Sequence, residues 1–255
     1  MYRYLLLGLL QGLAEFLPVS SSGHLVLAQR LLGLDPPGVA LEGVLHLATL
    51  AAVLLYFRRD LLRLTRGALT GGEEERRYLG LLVIGTLPIA LAGYLARDAL
   101  QGAFASPTLT GAMLLVTGLI LAGGSLAWAR ARRPRLCLRD ALAVGIAQAA
   151  ALLPGISRSG ITISAGMASG LTPREAARFS FLLSLPAVAG AGALSLAEAN
   201  LAPGEAMGLA LGGMAALGSG LLAIRFLLQL LLRGRLWWFS LYCLAVGALS
   251  IALTR

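Results

Sequence analysis

Two short polar stretches buried in apolar surroundings constrain this chain more than any other feature. The first runs from Gly8 to His24, GLLQGLAEFLPVSSSGH, and sets Gln11, Glu15, Ser20, Ser21, Ser22 and His24 inside an apolar segment. The second runs from Gly145 to Thr162, GIAQAAALLPGISRSGIT. The two align without a gap at one constant offset. Gly8, Gln11, Ala14, Ser20, Ser22, Gly23, Ala28, Gly33, Leu34 and Pro36 meet Gly145, Gln148, Ala151, Ser157, Ser159, Gly160, Ala165, Gly170, Leu171 and Pro173. An internal repeat governs the choice of fold, and here the repeated unit is a polar hairpin. A polar group in hydrocarbon costs several kcal/mol unless it is satisfied, so such a cluster in a membrane protein marks a functional site.

Composition identifies the surroundings as a membrane. Hydrophobic residues make up 58% of the 255 residues, charged residues 13%, and the mean hydropathy is +0.81, where soluble domains carry roughly 25% charged residues. The net charge of +9 and a pI near 10.7 would point to nucleic acid in a soluble protein. Here every Lys/Arg-type charge is an arginine, and most arginines sit in short loops between apolar runs. That is the positive-inside pattern of a polytopic membrane protein and leaves no reading as a nucleic-acid binder. Cys137 and Cys243 lie in different settings without metal spacing and read as free thiols.

The apolar runs give the topology. Residues 2–17 are short for a span of about 20 residues, and Pro18 and the serines interrupt them. Gln11 and Glu15 break the apolar core that a signal peptide needs. The run resumes at Leu25 and stops at the GLDPPG breaker of residues 33–38. Two helices around a polar break, each too short to cross, predict a re-entrant hairpin. Spans follow at 41–57, 78–96 and 107–128. Between the first two, Arg58, Arg59, Arg63, Arg66, Arg76 and Arg77 predict a cytoplasmic loop, with 73–77 a solvated part of it. The next loop carries only Arg97, and the third span leads to Arg130, Arg132, Arg133, Arg135 and Arg139. The second hairpin starts from that side. Arg174 and Arg178, beyond a helix start at Thr172-Pro173, return the chain to the same side. Spans at 176–196, 206–232 and 236–253 complete the chain.

The expected fold is therefore an all-α polytopic membrane protein with six transmembrane helices and two re-entrant helical hairpins, both termini outside. It forms one integral membrane domain, 1–255, with repeat halves of roughly 1–128 and 138–255. Three spans separate the hairpins, so they enter from opposite faces. That is an inverted-topology repeat, whose discontinuous helices meet near the bilayer midplane. Gly208, Gly212 and Gly213 would permit close helix packing and a homodimer.

The residues at the expected meeting point suit an anion. Arg158 is a permanent cation whose planar fork matches phosphate oxygens, and Ser20, Ser22, Ser157 and Ser159 surround it with hydroxyls. Adjacent glycines, Gly160 among them, allow backbone amides to approach the ligand, and a helix starting after each tip aims its positive end there. Glu15 would hold a divalent cation or position a nucleophile, and His24 would transfer a proton. Together these suggest phosphoryl transfer. Blander readings stand beside this one. Arg158 would be a structural partner of Glu15, Ser22, Ser159 and Ser164 would be packing residues, and Gln11 and Gln148 would satisfy freed backbone groups. Glu42 and His46 would form a local pair or support the site from behind.

The chain resembles the undecaprenyl-diphosphatase family, also called bacitracin-resistance proteins. QGLAEFLPVSSSGH is similar to that family's (E/Q)xxxE and PVSSTGH signatures, and LLPGISRSGITIS to its PGxSRSxxT signature. The likeness continues through LEGVLHLATL, GTLPIALAG and FSFLLSLPA, over nearly the whole chain. The resemblance implies a multi-pass enzyme of the bacterial inner membrane that removes the terminal phosphate of undecaprenyl diphosphate. The reaction regenerates the lipid carrier for cell-wall synthesis, at the outer face and with a divalent cation, magnesium or calcium. It implies Ser21 as nucleophile with His24 as general acid/base, or His24 as the attacking group with Ser21 binding phosphate, Arg158 as phosphate clamp and Glu15 as metal ligand or orienting group. Ser20, Ser22, Ser157, Ser159, Gly160, Thr162 and Gln11 would contact substrate. The first motif position, acidic in many members, is Gln11 here, and Ser22 stands for a threonine. The rival reading is a polyprenyl-phosphate transporter built on the same repeat.

Overall fold

The computed structural model describes residues 1–31, 39–96, 106–199 and 205–254. The 33–38 breaker, Arg97 and Arg255 lie outside them. The described residues form α-helices joined by short connections, with one isolated bridge between Arg133 and Leu171. In chain order these are α1 (Tyr2–Phe16), α2 (Ser21–Leu31), α3 (Val39–Tyr56), α4 (Arg58–Leu69), α5 (Glu73–Leu95), α6 (Pro107–Ala127), α7 (Leu138–Ala150), α8 (Arg158–Ala168), α9 (Pro173–Ala197), α10 (Ala206–Leu232) and α11 (Trp237–Leu253).

Local chemistry starts the long helices where the sequence requires. Ser106 accepts a hydrogen bond from the Leu109 N–H ahead of Pro107, and Thr172 accepts one from Glu175 N–H ahead of Pro173. Four helices among the described residues are long and apolar enough to cross a membrane: Glu73–Leu95, Pro107–Arg130, Pro173–Ala197 and Ala206–Leu232. A fifth is added if Ala40–Tyr56 and Arg58–Leu69, bent by 70° at their junction, count as one span, while Trp237–Leu253 is a shorter apolar helix. Their outward faces carry Leu87, Leu91, Leu119, Leu126 and Leu222, as suits a lipid boundary.

The arginine-rich segment after α3 differs from the expected loop. Residues 58–69 form a helix, because Leu61, Leu64 and Ala68 share one face and Leu64 is buried. Residues 73–77 are likewise helical, being the first turn of α5, where Glu73, Glu74 and Glu75 oppose the positive end of the helix dipole.

Glycines bring the backbones together. A Cβ at Gly8 would strike the Gly212 carbonyl of α10, one at Gly12 the Ala216 carbonyl and Ser219 hydroxyl, and one at Gly145 the Gly85 carbonyl of α5. Hence α1 lies on α10 and α7 on α5. Gly111 of α6 and Gly247 of α11 face each other's carbonyls reciprocally. Gly208 and Gly212 pack against Tyr4 and Gly213 against Val44, giving the close packing within the chain that these glycines permit. Phe16, Phe179 and Phe181 are fully buried, and Phe16 meets Phe181 edge-on at 5.8 Å.

The two ends of the second hairpin are tied side by side. Arg133 donates its backbone N–H to Gly170 O, and its carbonyl accepts from Thr172 N–H. Its guanidinium forks onto Asp140 at 2.7 Å twice and reaches Ser169 O. The chain that leaves α8 thus returns to the level at which it entered α7.

Candidate active site

The site is assembled on Glu15. Gln11 and Glu15 stand one turn apart on the buried face of α1, and Gln11 Nε2 donates to Glu15 Oε2 at 3.1 Å. The helix then breaks at Pro18, and Ser20 takes a left-handed φ of 70°, a strained backbone state for a residue with a Cβ. The reversal starts α2 at Ser21, whose Oγ donates to the same Glu15 oxygen at 2.6 Å. Arg158 opens α8, 143 residues away, and its NH2 meets Glu15 Oε1 at 2.6 Å. Ser159 Oγ also donates to Leu17 O. The two polar tips therefore touch, through a pair whose side chains are only 13% and 6% exposed.

The ion pair leaves capacity over. Arg158 NH1 and Gln11 Oε1 are buried without a protein partner among the described residues. Buried polar atoms are nearly always hydrogen-bonded, so one spare donor and one spare acceptor on either side of Glu15 are places for a ligand. The serines repeat one local device. Ser20 Oγ accepts from Gly23 N–H and lies 3.4 Å from Ser22 Oγ. Ser157 Oγ accepts from Gly160 N–H and lies 3.3 Å from Ser159 Oγ. The Gly160 amide is thus engaged by Ser157. Thr162 is fully buried, donating to Arg158 O and meeting Ser180 Oγ at 2.6 Å. Its contacts lock the helix that carries Arg158.

His24 joins this cluster through the backbone of Ser20. Its Nδ1 lies 2.9 Å from Ser20 O, and its Nε2 lies 2.7 Å from the Tyr242 hydroxyl of α11. Ser21 is bonded to Glu15 and not to His24. Three further residues support the site without having been marked by the sequence. Thr117 of α6 accepts from Ser157 N–H and donates to Gly155 O, fixing the second tip. Tyr242 stacks on His24. Cys243 points its thiol at Pro18 O, at the first break. His46 is bonded through Nδ1 to Glu42 O. Gln11 and Gln148 do not serve the broken backbone as expected. Gln11 bonds Glu15, and Gln148 is fully buried with neither amide atom partnered among the described residues.

A cavity of about 720 Å³ lies between α1, α10 and α11. Leu10, Leu13, Leu17, Phe226, Leu230 and Trp238 give it apolar walls, Arg233 and Arg235 border it, and it reaches the site at His24 and Tyr242. For a divalent cation the site offers Glu15 and the spare Gln11 carbonyl. No group of three His, Cys, Asp or Glu side chains lies together among the described residues. Hard cations take six or more oxygens, so this donor set fits a cation that brings phosphate oxygens with it.

The chemistry open to the cluster is nucleophilic attack by Ser21 on an electrophile held by Arg158, with Glu15 placed to receive the serine proton. The chain matches the family model described as Bacitracin resistance protein BacA over residues 4–249. A relative named undecaprenyl-diphosphatase from Rubrobacter xylanophilus is 45% identical over 262 residues, covering 97% of this chain and 96% of that protein. Another of that name, from Syntrophotalea carbinolica, is 45% identical over 98% of this chain and 97% of its own. One from Korarchaeum cryptofilum is 43% identical over 98% and 97%. With a family match across nearly its full length and relatives this similar end to end, the chain belongs to the bacitracin resistance protein BacA family.

Proposed function

We propose that this protein hydrolyses undecaprenyl diphosphate to undecaprenyl phosphate and inorganic phosphate. The observation that carries the reading is the buried Glu15–Arg158 pair, with Ser21 on one carboxylate oxygen and a spare guanidinium nitrogen beside it. Arg158 NH1 binds the terminal phosphate, and Ser21 Oγ attacks its phosphorus while Glu15 takes the serine proton. The bond to the bridging oxygen breaks, and undecaprenyl phosphate leaves. Water, its proton taken by His24, then cleaves the phosphoserine while Glu15 returns a proton to Ser21 Oγ, and phosphate is freed. In such a transfer most of the catalysis is positioning and charge neutralisation. Ser20, Ser22, Ser157 and Ser159 order the two tips around the phosphates. A divalent cation bound by Glu15, Gln11 Oε1 and the substrate's own oxygens would neutralise charge developing on the phosphates. The isoprenoid chain lies in the apolar cavity that begins at His24.

The membrane arrangement belongs to the same proposal. The bent α3–α4 pair and the short α11 are counted with the four long helices as six crossings, and the two hairpins re-enter from opposite faces of the bacterial inner membrane, the site open to the outside. The matched serine caps, the Gly8–Gly212 and Gly145–Gly85 contacts and the reciprocal Gly111–Gly247 contact support an inverted repeat. A transporter of polyprenyl phosphates is the lesser reading, since a carrier has no use for a serine hydrogen-bonded to a buried carboxylate. Phosphate release from a polyprenyl diphosphate by the purified, detergent-solubilised protein is the test. Hydrolysis predicts steady release, whereas a pure carrier releases none.

A further inference from the structure

We propose that Tyr242 is a positioning residue for His24, its hydroxyl and ring holding the imidazole in one orientation, with the proton on Nδ1 and Nε2 as the acceptor. The hydrogen bonds around the ring dictate this state. A carbonyl oxygen can only accept, so the 2.9 Å contact between His24 Nδ1 and Ser20 O requires a proton on Nδ1. In the neutral ring Nε2 is then an acceptor, and the 2.7 Å contact to Tyr242 makes the phenol the donor. The two rings also stack, with centroids 5.6 Å apart and planes 12° from parallel, so the tyrosine sets the tilt of an imidazole whose tautomer Ser20 O fixes. His24 is held on one side by the strained Ser20 of its own hairpin and on the other by α11, 218 residues away. Both rings line the apolar cavity, so the phenol shields the imidazole from hydrocarbon while leaving it a polar partner.

The inference rests on the role given to His24 in hydrolysis, and the test separates the two. The full-length protein is assayed for phosphate release from undecaprenyl diphosphate as wild type, Tyr242→Phe, His24→Gln and the double variant. Phenylalanine keeps the stacked ring and removes only the hydroxyl. Loss of the hydroxyl that orients the ring costs part of a general acid/base contribution, so kcat should fall by roughly ten- to a hundredfold, with KM nearly unchanged. Because Tyr242 acts through His24, Tyr242→Phe should cost nothing more in the His24→Gln background. The chain has two histidines, so 15N-histidine labelling gives a readable spectrum in which Tyr242→Phe should move the His24 Nε2 resonance and leave His46 in place. Wild-type turnover in Tyr242→Phe beside an impaired His24→Gln would overturn the proposal alone, as would additive losses or an unmoved His24 resonance. Wild-type turnover in His24→Gln would overturn the role of the histidine itself.

Discussion

Replacing Arg158 with lysine keeps the charge and removes the planar fork, and the geometry sets what that costs. In the wild type one terminal guanidinium nitrogen is committed to Glu15 at 2.6 Å, and the other is buried without a protein partner among the described residues. Lysine has a single nitrogen to serve both. If it stays on Glu15, the phosphate loses a charge-assisted donor, which costs about 2.7–4 kcal/mol in the transition state, or roughly 10²–10³ in kcat. If it turns to the phosphate, Glu15 is left buried and unpaired, a loss on the order of 3–5 kcal/mol for a broken buried pair. Activity falls in both cases. Arg158→Ala strands Glu15 outright and should therefore lose stability as well as activity. Steady-state phosphate release together with thermal unfolding in detergent separates these outcomes. An Arg158→Lys protein with wild-type kcat and an unchanged unfolding midpoint would refute the reasoning, because Arg158 would then be only the counter-ion of Glu15.

Gln11→Glu restores a second carboxylate beside Glu15 and should lower the magnesium or calcium concentration needed for half-maximal phosphate release, since affinity in oxygen-ligand sites rises with ligand charge; an unchanged titration would remove position 11 from cation binding. At the arginine-rich end of the second hairpin, burial alone would raise the carboxyl of Asp140, but the Arg133 fork and the Cys137 N–H outweigh it and hold the group below the usual carboxylate range. Its contribution is therefore complete at neutral pH and is lost as pH falls through the folded-state value. Asp140→Asn should cost about 2 kcal/mol at pH 7, less than a fully buried pair because Arg133 is 39% exposed. Unfolding measured against pH should show that difference shrinking below about pH 4.

Much of the site was legible because it is local. Gln11, Glu15 and Ser21 are neighbours across one helix break, and the repeat carried the same expectation to Ser157 and Arg158, including the contact between the tips. What the sequence concealed is long-range or masked by a stronger signal. Tyr242 sits in an apolar helix and is tied to His24 by a contact that no local pattern encodes, and Thr117 looks like any threonine in a span. The helix at Arg58–Leu69 was legible in its apolar face, Leu61, Leu64 and Ala68, but its arginines read as a loop. The acidic run at Glu73 was equally a helix-start signal. Counting spans by hydropathy cannot distinguish a straight crossing from the bent α3–α4 pair or the short α11, which only the packed chain reveals.

The most direct measurement of the central claim is phosphate release from undecaprenyl diphosphate by wild type and Ser21→Ala, each confirmed folded by its unfolding midpoint. In the proposed reaction Ser21 Oγ, held by Glu15 at 2.6 Å, is the attacking oxygen, so wild type should release phosphate steadily. Ser21→Ala, which leaves the Glu15–Arg158 pair in place, should lose nearly all turnover. Undiminished release from Ser21→Ala would contradict the account.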